Sequence, residues 1–308
     1  MNTVTESPRR YDAARLKMNV PLFIMFTPII VYFLVFRYFP MAGLTIAFKD
    51  YNFTDGIWGS PWVGLDNFEM LFTYPMMLNI LRNTLVLSAL QIVVGFPFPI
   101  LIALMIHEVR TRWFKKTVQT AVFLPHFLNW VIVGGIVVTV FSQETGIVNY
   151  IVKHLFGEPY AFLYRPGSWM SIFVGAGIWK SAGWGSIIYL AALSAVDHSL
   201  YEAASLDGAN KWRQLWHVSL PALRPVIFIL MILSIGNIME VGFDQVYVLQ
   251  NSVVSSVSEV ISTWSYKSGI NGGQFSLATA LGLFESLVGL LLVWTANSIA
   301  RRFDHGLW

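Results

Sequence analysis

The stretch "YEAASLDGANKWRQLWHVSLP" at residues 201–221 decides the organisation of the chain, because it is a long polar interruption between apolar runs. Glu202 follows Ser199 at the spacing of a capping box, so the sequence predicts a helix that begins here. Gly208 stands where a left-handed residue would end that helix. A second short helix is expected over residues 211–219, before two prolines reset the chain. The small residues favour close approach by another surface, and a helix pair that only connects two apolar segments is the alternative.

The composition indicates a membrane protein. Apolar residues make up 56% of the 308 residues and charged residues 12%, about half of the roughly 25% usual in soluble domains. There is no cysteine, which removes disulfides, thiolate metal sites and cysteine nucleophiles. A bilayer span needs about 20 mostly apolar residues, and six runs meet this length. They cover residues 20–39, 84–106, 118–141, 169–196, 226–243 and 275–300.

The positive charges predict how these six spans are oriented. Lys and Arg concentrate in the cytoplasmic loops of membrane proteins. One set of alternate loops and ends holds Arg9, Arg10, Arg15, Lys17, Arg110, Arg112, Lys115, Lys116, Lys211, Arg213, Arg224, Arg301 and Arg302, and the opposite set holds only Lys49, Arg82, Lys153, Arg165 and Lys267. Both termini and residues 201–221 are therefore predicted to be cytoplasmic. We expect a basic cytoplasmic segment at residues 1–17 and one transmembrane domain at residues 18–308, without a convincing internal repeat.

The opening stretch carries a resemblance to a known family. "EAASLDG" at residues 202–208 and "VSLP" at residues 218–221 resemble the EAA motif of ABC importer permeases, E-A-A-x3-G-x9-I-x-L-P, with valine in place of isoleucine. In that family this loop, residues 197–224 here, forms a coupling helix that seats in a groove of the ATP-hydrolysing subunit. The resemblance implies an all-α fold of the type I importer permeases, with six transmembrane helices. It also implies that the ATPase-coupling residues are Glu202, Ala203, Ala204 and Gly208.

Shorter matches resemble the sugar-permease branch of that family. They are "VGLDNF" at residues 63–68, "NTL" at 83–85 and "FLP" at 123–125. The similarity is to the maltose-type larger permease subunit without its outer insertion, and more closely to the Lpl-type permeases for oligosaccharides and polysaccharides such as alginate or pectin fragments. It implies a multi-pass subunit of the bacterial inner membrane. The implied partners are a second homologous permease, two ATP-binding subunits, an extracytoplasmic solute-binding protein and membrane lipid.

No G-x-x-x-x-G-K-[ST] motif occurs in the chain, so it is not expected to cradle ATP through a P-loop. We expect no catalytic residue, metal site or cofactor here, with ATP and Mg²⁺ bound by the partner ATPase. A net charge of +3 is too small to favour nucleic acid as a partner. The sequence therefore predicts a transport subunit rather than an enzyme.

Ionisable residues within the spans indicate where a solute passes. An ion at the centre of a span costs at least about 2.5–3.5 kcal/mol, so it usually faces a cavity or a partner. Lys180, Glu240 and Glu285 interrupt apolar runs, and Trp184 follows Lys180 on the same helical face. We expect Lys180 to pair with Glu240, although it could also snorkel. By resemblance to the maltose-type permease, the sugar-binding residues are Gly177, Lys180, Ser181, Trp184, Asn237 and Glu240.

These features favour an ABC importer permease that translocates an oligosaccharide, and an unpaired Lys180 would indicate an acidic one. An ion-coupled secondary transporter of sugars is the first alternative, but such transporters often contain inverted repeats, and none is evident. An ABC permease for another small solute would also carry an EAA loop. A membrane enzyme acting on lipid-linked sugar would need clustered acids or histidines at one interface, and the two acids within the spans form no obvious pair.

Overall fold

The computed structural model describes residues 20–302, and this part of the chain is almost wholly helical. The segment at residues 1–17 lies outside the described residues. Between residues 20 and 302 there is no strand, and the one β-type contact is an isolated antiparallel bridge between Lys49 and Trp62. The all-α fold predicted from the sequence is confirmed for the described part of the chain.

Thirteen helices, numbered in chain order, position the features of the described chain. They are α1 (Val20–Phe33), α2 (Asp66–Thr73), α3 (Pro75–Leu90), α4 (Pro97–Glu108), α5 (Arg112–Phe123), α6 (Trp130–Phe141), α7 (Ile147–Phe156), α8 (Pro166–Ser194), α9 (His198–Leu206), α10 (Lys211–Gln214), α11 (Leu220–Gly236), α12 (Phe243–Leu249) and α13 (Phe275–Arg301). Single-turn helices occur at Gly56–Gly59, Ser252–Val254, Ser255–Ser258 and Ile261–Trp264, and a π-helix covers Ser265–Asn271. Further π or 3-10 turns extend α1 to Phe48 and α5 to Phe127, and join α3 to α4 and α10 to α11.

Four helical segments are long and apolar enough to cross a membrane, by length and composition. They are Val20–Phe48, Pro75–Glu108, Lys211–Gly236 and Phe275–Arg301. The segments Arg112–Phe127 and Trp130–Phe141 give a fifth candidate if together they form one broken span, with a bend of 102° between them. Helix α8 has 29 residues and is about 43 Å long, which exceeds the roughly 30 Å hydrocarbon core, but its composition is less apolar. The described chain is thus a multi-pass membrane protein, and six spans stay a prediction.

Two predicted spans have different shapes in the structure. The run at residues 118–141 is not one helix, because it breaks after Phe127 and restarts with Asn129 as the N-cap of α6. The run at residues 226–243 was placed too late: the helix starts at Lys211 and ends at Gly236. Pro221 does not interrupt it, because it stands in the first turn of α11, where proline is tolerated. Pro225 lies inside α11 and does not end it.

Helix α8 is the centre of the fold. It packs along α4 and also contacts α3, α5, α6, α11 and α12. The ring of Trp169 stacks on Phe173 at 5.2 Å, and its Nε1 donates a hydrogen bond to the carbonyl oxygen of Leu249 at 2.8 Å. Helix α1, by contrast, buries none of its residues within this chain. Side chains on α8 therefore touch most of the elements that could enclose a solute.

Candidate functional site

Helix α9 carries the EAA sequence, and its start differs from the predicted one. Asp197 is the N-cap, and its carboxylate accepts a hydrogen bond from the backbone N–H of Ser199 at 2.9 Å. The capping box expected between Ser199 and Glu202 is therefore not used, because a better acceptor lies two residues earlier. The hydrogen bond from the Ser199 backbone is the main reason why the pKa of Asp197 lies below its ordinary value.

The end of α9 is confirmed at Gly208. This glycine has φ +77°, in the left-handed region that favours glycine. Its N–H donates to the carbonyl oxygen of Ser205 at 3.1 Å, and the N–H of Ala209 donates to that of Ala204 at 2.9 Å. These two hydrogen bonds form a Schellman motif, which stops the helix at a defined residue.

Side-chain hydrogen bonds hold the segment that follows against α9. Gln214 on α10 is buried, and its Nε2 donates to the hydroxyl of Ser205 at 2.7 Å and to the carbonyl oxygen of Ala209 at 3.3 Å. The hydroxyls of Tyr201 and Ser219 lie 3.0 Å apart. Helix α9 is thus held against the first turns of the helical segment Lys211–Gly236.

The exposed face of α9 combines small residues, a glutamate and one large apolar side chain. Glu202, Ala203 and Gly208 are exposed, Ala204 is half-buried, and Leu206 is 90% exposed. Beside this face lies a polar cavity of about 1020 Å³, to which the end of α4 contributes. Glu108 of α4 forms an ion pair with Lys211 at 2.7 Å on its rim. The sequence-based reasoning missed Leu206, whose only signal is an apolar residue at the end of a polar helix.

Two adjoining cavities within the helices contain three of the predicted substrate residues. Gly177 and Ser181 line a cavity of about 450 Å³, and Asn237 lines one of about 260 Å³. Both cavities are bounded by the same four residues, Phe96, Pro99, Gly185 and Ser234. Such apolar walls with a few polar groups are typical of small-ligand sites.

Two glutamines that were not among the predicted contacts form a polar wall of the larger cavity. Gln91 Nε2 donates to Gln245 Oε1 at 3.0 Å, and Gln245 Nε2 donates to the carbonyl oxygen of Phe173 at 2.6 Å. A Cβ at Gly177 would lie 3.3 Å from Gln245 Nε2, so a larger residue would have to push this amide aside. Gln91 opens the π turn between α3 and α4, and such turns are frequent at functional sites.

Lys180 does not pair with Glu240, contrary to the prediction. Its ammonium donates to the carbonyl oxygen of His126 at 2.9 Å and lies 5.6 Å from the ring of Trp130. The break after Phe127 leaves a backbone carbonyl that a continuous helix would have paired, and within a bilayer such a group needs a partner. The lysine and the carbonyl therefore satisfy each other.

The other predicted substrate residues lie apart from the two cavities. Trp184 is 46% exposed and stacks on His126 at 4.5 Å with ring planes 2° apart. Asn237 and Glu240 do not share a helical face as expected, because α11 ends at Gly236 and both follow it in a turn. Glu240 is exposed. The glycine-asparagine pair at this point is a helix-stop signal that the apolar pattern concealed.

Enlarging Gly177 is expected to impair solute passage. Leucine at this position displaces Gln245 and breaks its hydrogen bond to Gln91, which leaves a buried polar group unpaired. The loss of such a bond costs about 1–3 kcal/mol, so we expect solute uptake to fall about 5- to 150-fold. Uptake into membrane vesicles measures the effect. Gly175→Leu is the matched control, since a Cβ there meets nothing within 4 Å; equal losses in both variants would contradict the role of the cavity.

The fold and these features define a helical membrane protein with several long apolar helices, a short exposed helix α9 and two adjoining internal cavities. Residues 95–307 match the family described as binding-protein-dependent transport system inner membrane component. The chain belongs to this family. It is thus a membrane component of such a transport system.

Similar proteins cover nearly the whole chain. It is 44% identical to protein LplB of Bacillus subtilis (strain 168), over 95% of this chain and 92% of that protein. It is 46% identical to the polygalacturonan/rhamnogalacturonan transport system permease protein YteP of the same strain, over 93% of this chain and 90% of that protein.

Solved structures extend this similarity to the fold. One is the crystal structure of a bacterial ABC transporter involved in the import of the acidic polysaccharide alginate. It has a TM-score of 0.87 and 40% identity, and it covers 94% of this chain and 98% of that chain. Another shows a bacterial alginate ABC transporter in complex with an alginate pentasaccharide-bound periplasmic protein. It has a TM-score of 0.88 and 39% identity, and it covers 95% of this chain and 98% of that chain.

Proposed function

We propose that this chain is one of two homologous permease subunits of an ATP-driven importer that carries an oligosaccharide into the cytoplasm. The observation that supports this most directly is helix α9 with its Schellman end and exposed Leu206. Such a helix, fixed at its base and apolar at its tip, is suited to dock into another protein. The partner we infer is a separate ATP-binding subunit, present in two copies, which binds ATP and Mg²⁺ and hydrolyses the ATP.

An acidic oligosaccharide is the substrate class that we propose. The named solutes of the similar proteins, polygalacturonan or rhamnogalacturonan and alginate, support this class. This proposal does not depend on Lys180, whose ammonium donates to the carbonyl oxygen of His126. Gly177, Ser181 and Asn237 are the proposed solute contacts, because they line the cavities. Lys180, Trp184 and Glu240 stay predictions from the sequence.

An extracytoplasmic solute-binding protein would deliver this oligosaccharide, as supported by the family description and by the complex of the alginate transporter with its periplasmic protein. The distribution of Lys and Arg supports an orientation with α9 and both termini in the cytoplasm. The outer side would then carry the loop around Trp62. We propose the coupling loop as residues 197–224 within a transmembrane domain of residues 18–308.

The experiment is a mild-detergent pull-down of the full chain from its native membrane, followed by mass spectrometry and uptake assays with defined oligosaccharides. We expect a second permease and a P-loop ATPase to co-purify, and uptake of uronate oligomers to exceed that of neutral ones. A chain that runs alone would favour a secondary transporter. Equal uptake of neutral oligomers would refute the acidic class and leave the importer standing.

A further inference from the structure

The bend between α5 and α6 is closed by side chains at both of its ends. Oδ1 of Asn129 accepts a hydrogen bond from the backbone N–H of Ile132 at 2.9 Å, which caps the start of α6. The ammonium of Lys180 donates to the carbonyl oxygen of His126 at 2.9 Å, which closes the end of the first half. The first cap comes from the bend itself and the second from α8, so the geometry of the bend depends on another helix.

One turn of α8 holds the bend by three contacts, and we call Lys180, Gly183 and Trp184 the bend clamp. Gly183 packs directly on the backbone of Val122, and a Cβ at Gly183 would clash with the carbonyl oxygen of Val122. Trp184 stacks on His126 and meets the edge of the Phe127 ring at 5.7 Å. A hydrogen bond, a backbone contact and a ring stack thus act within five residues, and they leave the bend little freedom relative to α8.

The bend clamp lies on α8, which leads to the proposed docking helix α9 and also lines the cavity. Helix α8 continues from Lys180 to Ser194, about 21 Å of helix, and α9 begins at His198. On the other side, Trp130 at the start of α6 lines the larger cavity together with Gly177 and Ser181 of α8. A displacement of α9 that carries α8 with it must therefore either move the bend or break the clamp.

We propose that Lys180 is a positioning residue whose bond to the His126 carbonyl makes the bend follow α8, so that movement of the docking helix moves Trp130 and reshapes the cavity. This inference rests on the proposed import function. It requires no contact between the ammonium and the solute. It explains why a cation that the sequence assigned to substrate or to Glu240 is bonded instead to a backbone carbonyl.

Lys180→Met removes the donor and keeps a long unbranched side chain, so it tests the clamp in the assembled importer in lipid nanodiscs. We expect the ratio of binding-protein-stimulated to basal ATP hydrolysis to fall about tenfold, within the range of typical coupling free energies. The binding-protein concentration for half-maximal stimulation and the melting temperature should stay unchanged. Lys180→Arg should restore the ratio, because it keeps a donor and the charge. Lys153→Met, at an exposed lysine of α7, is the control.

The bend itself can be measured, because the chain contains no cysteine. Spin labels at Thr117→Cys and Thr139→Cys, both exposed, report the distance between the two halves of the broken span. We expect Lys180→Met to broaden this distance distribution and Lys153→Met to leave it unchanged. If Lys180→Met does not assemble, Asn129→Ala tests the other end of the bend and should broaden the distance distribution. Asn129→Asp should restore the narrow distribution, because aspartate caps α6 again.

Three outcomes separate this inference from its alternatives. A wild-type distance distribution and a wild-type stimulation ratio in Lys180→Met would overturn it. A loss restricted to acidic oligosaccharides, with the bend unchanged, would also overturn it and make Lys180 a solute ligand. If the binding protein does not stimulate ATP hydrolysis by the unaltered importer, the proposed function is overturned. The distance between the two spin labels would still decide whether Lys180 sets the bend.

Discussion

Gly208→Val is expected to weaken the binding of the proposed ATPase subunit and to lower uptake about tenfold or more. Gly208 has φ +77°, and a left-handed conformation costs an L-residue about 1–2 kcal/mol, with β-branched residues worst. A Cβ at Gly208 meets nothing within 4 Å, so the cost comes from the backbone rather than from a clash. We expect the chain to leave the left-handed region, which breaks the two hydrogen bonds of the Schellman motif and tilts α9. Uptake and the amount of co-purified ATPase measure the effect.

Two variants test whether the backbone conformation is the cause. Gly208→Asn should retain most of the uptake, because asparagine tolerates the left-handed region better than other residues. Gly273→Val places the same strain at a glycine with φ +73° that also has open space around it, before α13. We expect it to keep the ATPase bound. Normal ATPase binding and uptake in Gly208→Val would contradict the proposed role of α9.

Helix α9, the proposed docking helix, could be predicted from the sequence because its determinants are local. The left-handed end at Gly208 follows from a glycine placed one residue after the last turn, and the structure confirms it. The N-cap was predicted at Ser199, two residues too late. In the structure Asp197 is the N-cap, and its carboxylate accepts a hydrogen bond from the backbone N–H of Ser199. Hydrogen bonds within one or two turns leave a pattern in the sequence, so such an element can be identified without its surroundings.

The partner of Lys180 could not be predicted in this way. A charged residue in an apolar run suggested an opposite charge, yet the acceptor is a backbone carbonyl 54 residues earlier. Every residue has such a carbonyl, and only the break after Phe127 exposes this one. The apolar run at residues 118–141 gave no period that distinguished one helix from two, so neither the break nor the acceptor was evident.

The polar wall of the cavity was missed for a related reason. Gln91 and Gln245 are separated by 154 residues and meet only because α12 packs against α8. Gln91 is a single polar residue inside the run at residues 84–106, and Gln245 follows the run at residues 226–243. Gly177 was predicted by resemblance, and the structure supplies a physical reason, since a side chain there would press on Gln245.

Leu206→Ser is expected to weaken the binding of the proposed ATPase subunit about 10- to 150-fold, because burial of a leucine side chain contributes about 1.5–3 kcal/mol. Leu206 is 90% exposed, so the change should leave the thermal stability of this chain unaltered. Titration of the ATPase onto the permease pair in nanodiscs measures the affinity. Leu206→Met should restore it, since methionine keeps the apolar area.

Leu155→Ser is the matched control for Leu206. Leu155 is 71% exposed and belongs to α7, a helix in a segment that the sequence predicts on the outer side. It should leave the affinity for the ATPase unchanged. If Leu206→Ser binds the ATPase as tightly as the unaltered chain does, the apolar tip of α9 is not the contact. The partner must then hold α9 through Glu202 or through the polar cavity beside Glu108, and a strong dependence of the affinity on salt would identify that case, because screening weakens exposed ion pairs.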